Sequence, residues 1–262
     1  MQGNVCGLRH ERCVDRVDYE TGFSDQNVQT SLGSVSFRHH AGTGKRLVFL
    51  HGFAANNRVW KRLAEKLPED LDVYLVDMLG HGNSSAPEII YAIDRQVEAL
   101  HDLVRELGIE DCYIIGHSYG GWAVARYAVL GHPTSGIVLE DAGGLKEEID
   151  AINEGEGAQA FEERMYRQAM RYSGNREHVI RSILRAEFGD TVLDYESLSR
   201  IECPALIVWG DKDNFFDVRF AHLFARGIPG SKTLVIAGAG HEPHYTHPDA
   251  FGGALLQFIG HH

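Results

Sequence analysis

The chain has no apolar run long enough to span a bilayer, and its first twenty residues hold no apolar stretch behind a positively charged start. It is also short of positive charge. Its 25 lysines and arginines against 37 aspartates and glutamates leave a formal charge of -12, with no basic cluster to override the average. That balance opposes binding to nucleic acid or to an anionic membrane surface. Cysteine is scarce: 4 in 262 residues do not make a disulfide framework. Cys112 and Cys203 fall beside apolar strand-like segments and read as small core residues. Cys6 and Cys13, with His10 between them, have no fourth metal ligand nearby. The expectation is a cytoplasmic protein with one main core, no metal and no cofactor, whose partner is a small molecule rather than nucleic acid or a membrane, with the oligomeric state left open. His261 and His262, an ending of the kind a purification tag leaves, carry no weight in the reading.

What the chain does have is a regular alternation of strand-like and helix-like segments. Residues 28–30, 34–38, 47–50, 72–76, 112–115, 136–139, 205–208 and 233–236 read as strands, and residues 58–67, 93–107, 119–130, 218–225 and 249–259 read as helices. Such alternation predicts an α/β fold with a mostly parallel sheet flanked by helices, whose ligands gather beyond the carboxyl ends of the strands. The rhythm breaks over 143–201, which turns polar and helix-favouring and reads as an inserted helical lobe. Phe161, Met165 and Ala169 form one apolar stripe there, and Val179, Ile180, Ile183 and Leu184 form another. Most of these should pack on the main domain, but Phe161 and Met165 are candidates for a substrate pocket. The division expected is an N-terminal extension over 1–26, a core over 27–142 and 202–262, and the inserted lobe over 143–201.

One segment carries chemistry. Gly116-His117-Ser118-Tyr119-Gly120 lies between an apolar strand-like run and a helix-like run without proline. A Gly-x-Ser-x-Gly match arises by chance in about one chain in six of this composition, so the flanking strand and helix are what give it meaning. In that setting the serine stands on a sharp turn with its hydroxyl clear of the sheet. A serine hydroxyl is a weak nucleophile and needs an imidazole to take its proton, with a carboxylate to orient that imidazole. Two later strand ends supply candidates. The turn Gly210-Asp211-Lys212-Asp213 offers a carboxylate, and the turn Gly238-Ala239-Gly240-His241 offers a base. Asp211 and Asp141 are the other carboxylates that could serve. His241, Glu242, His244 and His247 have the look of a metal cluster, but Pro243 and the missing i, i+4 histidine pair argue against a zinc helix.

The order Ser118, Asp213, His241, together with His51-Gly52-Phe53 after a strand and Asp77-Met78-Leu79-Gly80-His81-Gly82, resembles the α/β-hydrolase family over roughly residues 27–259. The resemblance is to the branch with a serine nucleophile and a helical cap inserted after the sixth of eight strands. It implies a catalytic set of Ser118, Asp213 and His241, with Asp213 favoured over Asp211 and Asp141 the alternative acid. It also implies an oxyanion hole from the backbone N–H groups of Phe53 and Tyr119, with His51 and Asp77 as scaffold. The activity implied is hydrolysis of small to medium carboxylic esters through an acyl-enzyme. The same residues would serve a thioesterase, a perhydrolase or a carbon–carbon bond hydrolase, and the fold also includes small-molecule receptors.

Overall fold

The computed structural model describes residues 16–172, 174–186 and 191–261. Cys6, His10, Cys13 and His262 lie outside them. Eight strands form one sheet: β1 (Ser24–Thr30), β2 (Gly33–His40), β3 (Arg46–Leu50), β4 (Asp72–Val76), β5 (Tyr113–His117), β6 (Gly136–Glu140), β7 (Ala205–Gly210) and β8 (Lys232–Ile236). Their spatial order is β1-β2-β4-β3-β5-β6-β7-β8. β2 runs antiparallel to both β1 and β4, and all pairings from β4 through β8 are parallel. The carboxyl ends of β3, β5, β6, β7 and β8 therefore meet along one edge.

The central strands are apolar throughout because both faces are covered. Val48, Leu50, Ile114, Leu139 and Ile207 point into one core, and Leu47, Phe49, Ile115, Val138 and Val208 into the other, as the two-residue period of a strand requires. The first core is closed by α2 (Ile93–Leu107), α3 (Tyr119–Val129) and α8 (Arg219–Gly227); the second by α1 (Lys61–Ala64) and α10 (Pro248–Gly260). α2 shows how one sequence face does this: Ile93, Val97, Leu100 and Val104 recur at helical spacing and are all buried. Between β6 and β7 the chain forms α4 (Lys146–Glu154), α5 (Ala158–Ala169), α6 (Glu177–Arg185) and α7 (Tyr195–Leu198). The short α9 (Pro243–Thr246) follows β8. Among the described residues no helix is long and apolar enough to cross a membrane.

The sheet starts earlier than the residue pattern predicts. β1 opens at Ser24 rather than Val28, and Val17, Tyr19 and Phe23 ahead of it are buried. Val17 N–H donates to the Leu67 carbonyl at 3.1 Å. These apolar residues are spaced among charged ones, too sparsely for a strand or helix period, and tertiary contact alone buries them. The described end of the expected extension thus packs on the second core.

One close approach ties the sheet to the helix that follows β5. A Cβ added at Gly120 would stand 2.5 Å from the His51 carbonyl oxygen and 2.6 Å from that of Leu50. Both neighbours are backbone and cannot rotate away. We expect Gly120→Ala to lower stability by on the order of 2–3 kcal/mol, read as a fall in Tm by thermal unfolding. An unchanged Tm would contradict the contact.

Candidate active site

Ser118 is the single residue between β5 and α3, with φ 53° and ψ -114°. A side-chain-bearing residue at positive φ is strained and persists only where its surroundings hold it. Ser118 N–H donates to the Glu140 carbonyl at 2.9 Å, while its own carbonyl accepts from Trp122 N at 3.0 Å and Gly143 N at 3.1 Å. Gly116 is required beneath it, since a Cβ there would come within 2.4 Å of the Gly120 oxygen. Tyr119, the first residue of α3, has an amide with no partner within the helix, as every helix start does.

His241 follows β8 and Asp213 follows β7. His241 Nδ1 lies 2.8 Å from Asp213 Oδ2. The other oxygen of Asp213 accepts from the backbone N–H of Phe215 at 2.7 Å and of Phe216 at 3.1 Å. Burial opposes charge on Asp213, but the hydrogen bond and charge of His241 and these two amides outweigh it and hold the carboxyl below its ordinary value. His117, immediately before Ser118, sits 2.7 Å through Nε2 from the His241 carbonyl and so fixes the backbone of the base. Burial, then the nearby His241, drives the His117 imidazole down to about 3, so it is neutral and donates.

Asp141, the alternative acid of the sequence reading, comes close without taking that place. One donor atom from each of Asp141, Asp213 and His241 lies within 4.8 Å of the others. His241 Nδ1 is nevertheless bonded to Asp213, whereas Asp141 Oδ1 accepts from Gly210 N at 3.1 Å and its buried carboxyl faces that of Asp213. Burial and the neighbouring carboxyls of Glu140 and Asp213 push Asp141 up to about 11, so it is a neutral acid. Asp211 points elsewhere, accepting from Gly238 N at 2.6 Å. The histidines after His241 do not converge on a point. His244 donates its backbone N–H to Glu140 at 2.7 Å and turns Nδ1 to the same carboxyl at 2.9–3.0 Å, and His247 pairs with the Thr246 hydroxyl. Glu140 and His244 are both buried, and burial raises Glu140 to about 7. Sequence reasoning missed this pair, because a glutamate ending a strand and a histidine opening a helix carry no periodic signal.

The loop after β3 carries Phe53 and, next to it, Ala54 at φ 58°. His51 anchors it: Nδ1 contacts the Gly52 carbonyl at 2.8 Å, and Nε2 accepts from Met78 N at 3.0 Å. Burial lowers this imidazole to about 4, which keeps Nε2 free to accept. Asp77 accepts from Asn57 N at 2.7 Å and from Asn83 N at 2.8 Å, joining two loops. From the helical segment, Asn175 Nδ2 donates to the Ala54 carbonyl at 3.0 Å, and Arg176 donates to the Gly80 carbonyl at 2.9 Å.

These parts enclose a cavity of about 1000 Å³. Ser118, His241 and Phe53 line it from the sheet side, and Phe161 and Met165 of α5 line it from the helical segment. The first turn of α4 adds Glu148, which stands among charged residues that give it no sequence signal. The arrangement can therefore present a hydroxyl, a carboxylate-oriented imidazole and a partly open space of mixed polar and apolar lining to one small molecule.

A sequence model described as the Alpha/beta hydrolase family matches residues 47–254. A 2-hydroxy-6-oxo-6-(2'-aminophenyl)hexa-2,4-dienoic acid hydrolase of Metapseudomonas resinovorans is 27% identical over 258 residues, spanning 87% of this chain and 89% of that protein. Monoacylglycerol lipase ABHD6 of Homo sapiens is 25% identical over 263 residues, 86% of this chain and 78% of the relative. Among solved structures, a serine hydrolase involved in carbazole degradation gives a TM-score of 0.76 at 24% identity, covering 92% of this chain and 100% of that one. A naproxen esterase from Bacillus subtilis gives 0.71 at 17% identity, covering 90% and 91%. At these identities the structural likeness speaks for the fold.

The neutral Asp141 has a consequence for stability. Its carboxyl titrates near 3.8 when unfolded and near 11 when folded. The unfolded chain thus loses this proton first as pH rises, and the fold is weakened progressively across that window, by up to about 1.4 kcal/mol per pH unit. Asparagine has no such proton to lose and tolerates the φ of 40° at this position. Asp141→Asn should raise Tm, with a larger gain at pH 9 than at pH 5. A gain equal at both would contradict the burial of a protonated carboxyl.

Proposed function

The chain belongs to the alpha/beta hydrolase family, and within it we propose that it is a serine hydrolase that cleaves carboxylic esters of small to medium substrates through an acyl-enzyme. The observation that carries the reading is the 2.8 Å contact between His241 and Asp213 on the same cavity as the strained Ser118. In this mechanism Ser118 Oγ adds to the ester carbonyl while His241 Nε2 takes its proton. Asp213 holds the other ring nitrogen and steadies the cation that forms. The backbone N–H groups of Phe53 and Tyr119 would receive the developing oxyanion, a contribution typically worth ~100- to 1,000-fold in rate per donor. Collapse breaks the carbon–oxygen bond to the alcohol, which leaves with the proton from His241. Water, deprotonated by His241, then releases the acid and restores the serine. The residues between β6 and β7 would form a cap, with Phe161 and Met165 shaping the acyl pocket.

Hydrolysis of a carbon–carbon bond on the same residues is the second reading, favoured by the Metapseudomonas relative. It shares the nucleophile and differs in what leaves. The test is turnover of p-nitrophenyl butyrate by wild type, Ser118→Ala and Asp213→Asn. Wild type should turn over. The alanine variant should fall by ~1,000-fold or more, and the asparagine variant, with the imidazole in the wrong tautomer, by a comparable factor. Equal rates in wild type and Ser118→Ala would sink the mechanism.

A further inference from the structure

Glu148 is the third residue of α4 and is 92% buried, yet it lines the cavity that holds Ser118 and His241. One oxygen, Oε2, accepts from Gly144 N at 2.7 Å. Gly144 is pinned in turn, with φ 95° and its Cα hard against the Trp122 ring, where a Cβ would come within 2.4 Å. The amide that holds Oε2 is therefore fixed, and the carboxyl is fixed with it. Besides Gly144, the Leu145 amide is the one other hydrogen-bond donor acting on the carboxyl among the described residues. Burial, and after it the backbone amides and the Asp213 carboxylate, set its charge, with the balance raising it to about 8. At neutral pH this group can therefore both donate and accept a hydrogen bond.

Its position decides what it would meet. A Cβ at Gly143 would lie 3.6 Å from Glu148 Oε2 and 3.4 Å from the Phe216 ring, and that ring stands edge-on to His241 with centroids 5.2 Å apart. Glu148 thus lies at the His241 corner of the cavity. In ester cleavage the imidazole gives its proton to the departing alcohol, so the alcohol occupies the His241 side. An apolar alcohol closing over Glu148 would strip water from a polar group and return nothing, whereas a hydroxyl would satisfy it.

We propose that the Glu148 carboxyl recognises a hydroxyl on the alcohol part of the substrate, so that the site prefers esters of a diol or triol to simple alkyl esters of the same acid. This rests on the ester-hydrolase reading above and deepens it. The experiment compares kcat/KM for glycerol 1-monobutyrate and propyl butyrate, which share the acyl group and the three-carbon length, by titrating released acid. Wild type should favour the glycerol ester by about 10-fold or more, the scale of a buried polar group left unpaired by the analogue. Glu148→Ala should bring the ratio to within twofold of 1. Glu148→Gln, which keeps the bond to Gly144 through its carbonyl, should lower it about threefold and serves if the alanine variant does not fold. A wild-type ratio below 2, or a ratio unchanged in either folded variant, would overturn the proposal. Loss of all ester turnover in wild type, p-nitrophenyl butyrate included, would instead overturn the ester reading on which it rests.

Discussion

The backbone of Ser118 is the constraint from which the geometry of this edge of the sheet follows. A residue at φ 53° between a strand and a helix is held only if its neighbours leave no slack. Its amide is spent on the Glu140 carbonyl and its carbonyl on Gly143 and Trp122, which sets the loop after β6 relative to β5. The glycine four residues beyond Gly116 lets the carbonyls of Leu50 and His51 press directly on α3, which sets the loop after β3. One strained turn thus places the loops that carry Phe53, Asp141 and Glu148 around a single point.

Charge at that point is distributed with the same economy. Glu140, Asp141, Glu148 and Asp213 all end up near the carboxyl ends of β6 and β7, and burial works against ionising every one of them. Only Asp213 has enough donors, two backbone amides and the His241 ring, to lie below its ordinary value. Asp141 and Glu148 are raised to about 11 and about 8. The histidines around them follow the converse rule: His51, His117 and His244 are buried and held neutral, at about 4, 3 and 3. Of these four carboxyls, the one that touches His241 is thus the one most firmly held in its charged form, which is the condition the proposed proton transfer needs. The contact from Asn175, in the helical segment between β6 and β7, to the Ala54 carbonyl adds a brace to the loop that carries Phe53.

The strands were legible because both faces of a parallel sheet are covered, which turns Leu47–Leu50, Cys112–Ile115 and Ala205–Val208 into short apolar runs that little else in the chain imitates. The serine turn was legible because its glycines answer a steric demand. The pairing of His241 with a carboxylate was legible only as a choice. Asp213, Asp211 and Asp141 all follow strands, and which one reaches the ring depends on how two turns lie in space. Glu148 and the Glu140–His244 pair were not legible. Glu148 sits among Lys146, Glu147 and Asp150, in what reads as a solvated helix start, and no local period marks that its carboxyl turns back to the Gly144 amide and feels the charge of Asp213, 65 residues on. The lead residues Val17, Tyr19 and Phe23 failed for the same reason, since no local period marks a segment that is buried only by tertiary contact.

The account turns on Ser118 being a nucleophile activated by His241. Covalent trapping tests this without reference to any substrate: incubation with an alkyl fluorophosphonate, followed by peptide mass spectrometry, locates the adduct. One phosphonyl group on the peptide containing Ser118 in wild type, and none in His241→Ala at the same exposure, is the result the account predicts. An adduct on another residue, or equal labelling of Ser118 when His241 is absent, would contradict it.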